Sequence, residues 1–417
     1  MPEAAGGGKL VERHRIKENH RMNPALTEIV SHPNVKHSEL LTVLHSFFKF
    51  VTNPLPGRAR RFGDQNQGSY LDVHFNNDGT IQTINGKLSD ADTKALVVQI
   101  RSTLVDNQEE DIGRTICFSL YEAVRGFYRY KDVFQIVPIP KDAPHASMIL
   151  ADHPFVLESK YVSCPDQMID TNRHIEAAAQ LARILNTFCN TAVSARSVYV
   201  RYFWGIFDDK ELSSRWTQEG YVYGGFPPGH REGFSSTEGI PPIRLFPAAE
   251  YYDELFFPRD HSLALPDEID RYLDKVFSLT GSDANAFEIA SIWFAQVKEL
   301  WPRASSSALV AVVSGIEALL EKNSEICREC GQLKFGINKK FKDFLKTYVP
   351  GVVEQFPEAF KAIYETRSQL AHGKLALMAD RRRWNYLGDP LQQWEGRFQR
   401  NVYRITATAL RNWVLSR

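Results

Sequence analysis

The chain has 417 residues, with 50 basic and 50 acidic side chains and a formal net charge of zero. That length exceeds what one hydrophobic core usually serves, so two or more domains are expected. The even charge excludes a global polycation that holds nucleic acid by charge alone, so any nucleic-acid contact must come from a local patch.

Five cysteines, an odd number spread through a long chain, fit a reducing cytosol better than a disulfide framework. No apolar run approaches the ~18 residues of a membrane span. Near the N-terminus, Gly and charge stand where a signal peptide has its apolar stretch. A soluble cytoplasmic protein with no membrane partner is the expectation.

Residues 1 to about 30, with Gly6-Gly7-Gly8 and then His14, Arg15, Lys17, His20 and Arg21, read as a loose basic arm. Leu40, Leu41, Leu44, Phe47 and Phe48 recur at helical spacing over Ser38 to Val51, and Asn53-Pro54-Leu55-Pro56-Gly57 stops that helix. Arg58, Arg60 and Arg61 follow and read as a solvated loop or, as the alternative, a nucleic-acid contact. From Tyr70 to Ile84 the side chains alternate around Asn77-Asp78-Gly79, the composition of a tight hairpin turn. Further β-rich runs lie at Thr115 to Leu120, Val133 to Ile139, Phe155 to Val162 and Ser197 to Phe207. A long amphipathic helix is expected from Asp166 to about Val193, with Ile175, Ala178, Leu181, Ile184, Leu185 and Phe188 on one side. Asp208 to about Pro266 loses periodicity and is rich in Gly, Pro and aromatics. It reads as an irregular covering layer, with stacking on nucleotide bases as the alternative.

After Pro266 the pattern is almost continuously helical, beginning with a proline-started helix at Pro266 to Leu279. A second helix is expected from Asp283 to Trp301. A third starts at the Ser305-Ser306-Ser307 cap and carries Leu309, Val313, Ile316 and Leu320 as far as Lys322. A fourth holds Phe341, Phe344, Leu345 and Tyr348. A fifth runs from near Pro357 to His372, where Gly373 is a natural residue for the position just past a helix end. The last spans about Leu391 to Leu415. The whole is α+β: a mixed N-terminal region, then an all-helical bundle. Three segments follow from this: 1–65, a basic arm and short helix; 66–265, an α+β sensor or regulatory domain; and 266–417, the helical domain.

Arg367 and His372 carry the chemistry. Arginine keeps its charge and forks onto a phosphate, while imidazole moves a proton near neutral pH, so together they suit cleavage of a phosphodiester. Five residues apart on an ideal helix, they lie about 140° from each other and do not both face one small ligand. A loosened last turn at Gly373, or a second copy of the site, would meet that difficulty. The end of a helix also favours a protonated ring at His372, which suits a general acid.

The stretch Tyr364-Glu365-Thr366-Arg367-Ser368-Gln369-Leu370-Ala371-His372-Gly373, with the upstream Val313-Ser314-Gly315-Ile316-Glu317-Ala318-Leu319-Leu320, resembles the HEPN superfamily, specifically the Apea-like HEPN domains. The resemblance covers roughly residues 283 to 417. It implies a metal-independent endoribonuclease assembled where two domains face each other in a homodimer, in toxin or anti-phage defence, with a phage-derived trigger. It implies that Arg367 grips the scissile phosphate and His372 transfers a proton as the ribose 2′-hydroxyl attacks. Ser368 stands where active members carry Asn or another strongly polar residue, and a hydroxyl still donates and accepts a hydrogen bond. The alternative is a non-catalytic HEPN module that binds RNA or a protein. Glu317 either bonds into the same site or faces solvent.

Cys327 and Cys330 have the spacing of half a zinc knuckle, so a structural zinc and a pair of free thiols both stand as readings. No cofactor is expected for catalysis. Lys374, Arg381, Arg382 and Arg383, with Trp384 and Tyr386 beside them, join positive charge to aromatics as RNA binding requires, against the alternative of a solvated face. The chain has no GxxxxGK[ST], HExxH or GxSxG motif, which removes the commonest competing enzyme classes.

Overall fold

The computed structural model describes residues 24–32, 35–48, 58–64, 68–77, 79–146, 152–195, 204–208, 213–217, 229–231, 233–253, 256, 258–301, 304–320, 325–326, 333–334, 337–355, 357–381 and 390–417. Most of the expected basic arm lies outside them. The architecture is α+β, and the chain packs as two units: residues 1–109 with 162–171, and residues 110–161 with 172–417.

In the first unit, α1 (Pro24–Val30) and α2 (His37–Phe47) precede three antiparallel strands, β1 (Ala59–Asp64), β2 (Ser69–Phe75) and β3 (Ile81–Lys87), in that order. β2 and β3 form the hairpin expected around Asn77 to Gly79. Gly79 adopts φ +85°, which a glycine accepts without strain, and its N–H donates to the Asn76 carbonyl at 3.1 Å. Helix α3 (Asp90–Arg101) follows, with the Ser89 hydroxyl accepting from the Asp92 N–H at 3.0 Å. Leu40, Leu44, Phe62, Val73, Leu96 and Ile100 close the core of this unit. The cluster Arg58, Arg60 and Arg61 leads into β1 rather than lying in a loop. Arg61 there sits opposite Asp72 of β2 and forks onto its carboxylate with two bonds of 2.7 Å.

The next strands and helix in chain order are β4 (Glu109–Leu120), β5 (Tyr128–Tyr130), β6 (Phe134–Pro138), β7 (His145–Ala146), β8 (Asp152–Ser163) and α4 (Gln167–Phe188). After them come β9 (Val193–Ser194), β10 (Trp204–Asp208), β11 (Ser213–Thr217), β12 (Gly229–Arg231), β13 (Arg244–Phe246), α5 (Ala248–Tyr251) and β14 (Ala264–Pro266). The main sheet has the order β12-β4-β8-β6-β5, with β9 also on β4; β11-β10-β7 form a smaller sheet. Glu158, fully buried in β8, is met by Arg114 Nε at 3.3 Å, the Gln135 amide at 3.2 Å and the Ser235 N–H at 2.7 Å. A buried carboxylate demands such partners. The segment 208–266 thus carries short strands within the covering layer expected there. Pro266 ends β14, which pairs in parallel with β13, and does not start a helix. Its missing N–H costs nothing at a strand end.

The helices of this unit are α6 (Ile269–Ser278), α7 (Gly281–Leu300), α8 (Ser305–Glu317), α9 (Ile337–Tyr348), α10 (Pro350–Gln355), α11 (Pro357–Ala371), α12 (Met378–Arg381) and α13 (Pro390–Leu415), with a two-stranded ribbon, β15 (Glu325–Ile326) and β16 (Leu333–Lys334), after α8. One continuous hydrophobic core includes Phe134 and Leu157 of the sheet, Phe188 of α4, Leu273 of α6, Val312 of α8 and Trp413 of α13. Tyr128 and Tyr130 donate to Asp270 and Asp274 of α6, each at 2.6 Å, and Phe188 stacks on Tyr272 with centroids 4.9 Å apart. The change of pattern at residue 266 is therefore a change of secondary structure inside one packing unit. The joints between the two packing units fall at 109/110 and at both ends of 162–171.

Gly315 lets α8 lie against α7: a Cβ added there would come within 2.8 Å of two ring carbons of Phe294. Valine and glycine differ little in helix propensity, so the steric conflict decides the outcome of Gly315→Val. A loss of about 1–3 kcal/mol is expected in urea unfolding. A variant midpoint at or above that of the wild type would refute this close packing.

Candidate active site

Helix α8 is apolar over most of its surface, with Ala308, Leu309, Ala311, Val312, Val313, Gly315 and Ile316 all buried. Its polar needs are met at its two ends. At the N-terminus, the Ser305 and Ser306 N–H groups donate to the two oxygens of Asp380 in α12, at 2.8 and 2.7 Å. The Ser306 hydroxyl in turn accepts from the Leu377 N–H at 2.9 Å, and Glu395 of α13 accepts from the Met378 N–H at 2.8 Å. The expected serine cap is thus a carboxylate cap brought from 75 residues away.

At the other end, α8 stops at Glu317 instead of continuing to Lys322, and Glu317 is its last residue rather than a mid-helix one. It does not face solvent freely. Arg367 of α11 donates from Nη2 to Glu317 Oε2 at 2.7 Å, with the two side chains 22% and 19% exposed. Tyr364, one turn before Arg367, sits beside the pair. Burial pushes the Glu317 carboxyl above the usual carboxylate range, and the Arg367 guanidinium and the Tyr364 phenol pull it down less strongly. Burial, then the neighbouring carboxylate, raises the Tyr364 phenol. Glu317 Oε1 and Arg367 Nε are both buried without a hydrogen-bond partner among the described residues.

Helix α11 ends in a Schellman motif. Gly373 adopts φ +68°, the Gly373 N–H donates to the Leu370 carbonyl at 3.1 Å, and the Lys374 N–H reaches the Gln369 carbonyl at 2.9 Å. His372 occupies the last position before that glycine. Its N–H donates to the Ser368 carbonyl at 3.1 Å, and its side chain is exposed.

Arg367 is accordingly drawn inward against α8, and His372 is presented outward at the end of α11. No hydrogen bond or ion pair joins the two among the described residues. Ser368 is half-buried on α11, whereas Lys374 and Arg381 are exposed beyond it. Arg382, Arg383, Cys327 and Cys330 lie outside the described residues, and so do Trp384 and Tyr386. No group of three or more His, Cys, Asp or Glu residues able to hold a metal ion occurs among the described residues. No described helix is long and apolar enough to cross a membrane.

Sequence reasoning left Glu317 open between the site and solvent, and Tyr364 entered only as part of the family-like stretch. Tyr364, three residues before Arg367, falls on the same helical face, which is the signal that links it to the pair. Comparison with protein-family models, with curated proteins and with solved structures finds no match.

The raised Glu317 carboxyl makes a prediction with a definite sign. A free glutamate titrates at about 4.3. Because the folded protein holds this proton more tightly, the contribution of Glu317 is fully present below that pH and is lost as pH rises through the higher folded value. The stability advantage of wild type over Glu317→Gln, followed by urea denaturation from acid to neutral pH, is expected to shrink as pH rises. An advantage that grows instead would contradict the raised carboxyl.

Proposed function

We propose that the protein is a metal-independent endoribonuclease of the HEPN type, acting in the cytoplasm in toxin or anti-phage defence, with its site assembled from Arg367 and His372 of two copies in a homodimer. The observation that carries this reading is the division of labour on α11. A half-buried guanidinium is held in one orientation by Glu317, while an imidazole is displayed on a turn fixed by the Schellman bonds. A cation and a base that face different directions from one helix suit a cleft lined by two such helices.

In that cleft, His372 takes the proton of a ribose 2′-hydroxyl as its oxygen attacks the neighbouring phosphorus, or donates a proton to the departing 5′-oxygen. Arg367 offsets the charge that builds on the phosphate oxygens. The products are a 2′,3′-cyclic phosphate and a 5′-hydroxyl. Ser368, one residue from Arg367, supplies a hydroxyl beside the phosphate. The exposed Lys374 and Arg381, with Arg382 and Arg383, steer the RNA strand towards the site. The preceding α+β region, residues 66–265, acts as sensor or regulator, and a phage-derived component is its trigger.

One observation favours a second reading. Arg367 already has a carboxylate partner within its own chain, and a guanidinium so neutralised is a weaker phosphate ligand. On that reading the bundle is a non-catalytic HEPN module that binds RNA or a protein.

Incubation of the purified protein with end-labelled total RNA, with and without extract of phage-infected cells and with a chelator present, separates the two. The nuclease reading expects chelator-resistant cleavage that leaves cyclic phosphate ends. His372→Ala should slow it by about 10²–10⁴-fold, and Arg367→Ala by about 10²–10³-fold. Light scattering should return the mass of a dimer. Cleavage equal in wild type and His372→Ala, or absent from both with extract added, leaves the binding module as the function.

A further inference from the structure

Away from Arg367 and His372, the second unit has a recess of about 400 Å³ between the end of α9, α10, α11 and α13. Its wall is largely apolar: Val349 just past α9, Val352 of α10, Ile363 of α11, and Phe398, Val402 and Ile405 of α13. Val349, Ile363 and Val402 are buried, whereas Val352, Phe398 and Ile405 are half-buried. Such a wall offers water few hydrogen bonds, so an apolar group that fills it is favoured.

Beside the recess, α13 projects an aromatic ring. Trp394 is 59% exposed and stacks on Phe398, with centroids 5.4 Å apart and planes 6° from parallel. Trp394, Phe398 and Ile405 stand at positions i, i+4 and i+11, which fall on one face of a helix. A large ring exposed on an apolar face marks an interaction surface, and tryptophan set in an apolar pocket is the commonest anchor of such surfaces.

Two observations identify the occupant as a second copy of this chain. The first is self-complementarity. Trp394 and Ile405 are about 16 Å apart along α13 at 1.5 Å per residue, so ring and recess are neighbours on one face. A twofold axis crossing α13 between them places each copy's ring at the other's recess, which is what an isologous contact requires. The second is charge. Arg397, three residues after Trp394, and Glu354, two residues after Val352, are both exposed, and neither side chain has a hydrogen bond or ion pair among the described residues. The same rotation carries the ring end of one copy, with Arg397, to the recess end of the other, with Glu354. Opposite charges then meet at the edge of an apolar contact, the usual anatomy of an interface.

We propose that this face is a homodimer interface, in which Trp394 of each copy enters the recess of the other. The proposal rests on the ribonuclease reading only for the use made of the dimer, since association is measured without RNA. Ile363, on the recess wall, is one turn before Arg367 in α11, so pairing through this face brings together the helices that carry the candidate site.

Sedimentation equilibrium of the full chain tests the interface. Wild type is expected to dimerise with a dissociation constant below about 100 µM. Trp394→Ala removes an exposed ring and no core side chain, so its circular dichroism should match wild type. Its dimer should be at least about tenfold weaker. Arg397→Glu should weaken the dimer at least about twofold, and Glu354→Arg added to the same chain should restore it. A wild type that stays monomeric at that concentration overturns the proposal and leaves this face to a partner of another kind. A Trp394→Ala chain that dimerises as tightly as wild type also overturns it, placing the homodimer on another surface and leaving the ribonuclease reading intact. A dimer that depends on Trp394 but cleaves no RNA upholds the interface and removes that reading alone.

Discussion

A helix that is apolar on most of its faces can be solvated only at its ends, and α8 is such a helix. Its N-terminal N–H groups are taken by Asp380, and its C-terminal residue Glu317 is taken by Arg367. Both partners come from the stretch that contains α11, its terminal turn and α12. This stretch is therefore tied to α8 at two points, and His372 lies between them. The placement of the site follows from what one buried helix requires at its two ends. Removing one partner of a buried ion pair costs about 3–5 kcal/mol, and the partial exposure of this one places its cost below that range.

What was legible in the sequence was local. The hairpin at Asn77 to Gly79 and the Schellman glycine at 373 each depend on a few consecutive residues, because positive φ is decided by the residue that adopts it. The apolar stripe of α8 was legible for the same reason. Its end was not: Leu320 continues the helical spacing, yet the chain turns after Glu317, where a tertiary partner waits. Helix α3 carried a signal in Ser89 and Asp92, a serine followed three residues later by an acid, but its weak apolar pattern hid it. The Asp380 cap and the Arg61–Asp72 fork join residues far apart in the chain, and no spacing rule reaches them. The change of pattern at residue 266 is local in the same way. Periodicity reports which element forms, whereas a packing unit is defined by what that element touches, and α6 touches the sheet through Tyr128, Tyr130 and Phe188.

The pairing of Arg367 with Glu317 bears on the chemistry in two opposing ways. A carboxylate beside the guanidinium fixes its direction, which a site that must meet a phosphate at one geometry needs. The same carboxylate, when charged, repels the phosphate that the guanidinium would grip. Burial raises the Glu317 carboxyl, which works against this conflict, since whenever the carboxyl is protonated it still accepts from Arg367 without opposing a second anion. Arginine has five N–H donors, and the bond to Glu317 uses only Nη2, so holding the side chain and holding a phosphate are compatible demands. Tyr364 belongs to the same balance, since its phenol favours the charged carboxylate and its own ionisation is suppressed by burial beside it.

The helical phase that separates Arg367 from His372 by about 140° is usually an argument against a shared site. Here it is resolved by where each residue finds its environment. Arg367 is on the side of α11 that α8 needs, and His372 is just past the last residue of α11, on the turn that Gly373 closes. A single chain therefore offers the cation from a half-buried seat and the base from an exposed turn, with no hydrogen bond or ion pair joining the two among the described residues. On the ribonuclease reading this makes activity depend on a second copy. If the chain is such a ribonuclease, the arrangement that would keep a lone copy from cleaving RNA would let whatever governs pairing of the copies also govern cleavage. For a toxin-like enzyme, that control needs no residue beyond those already placed by the demands of α8.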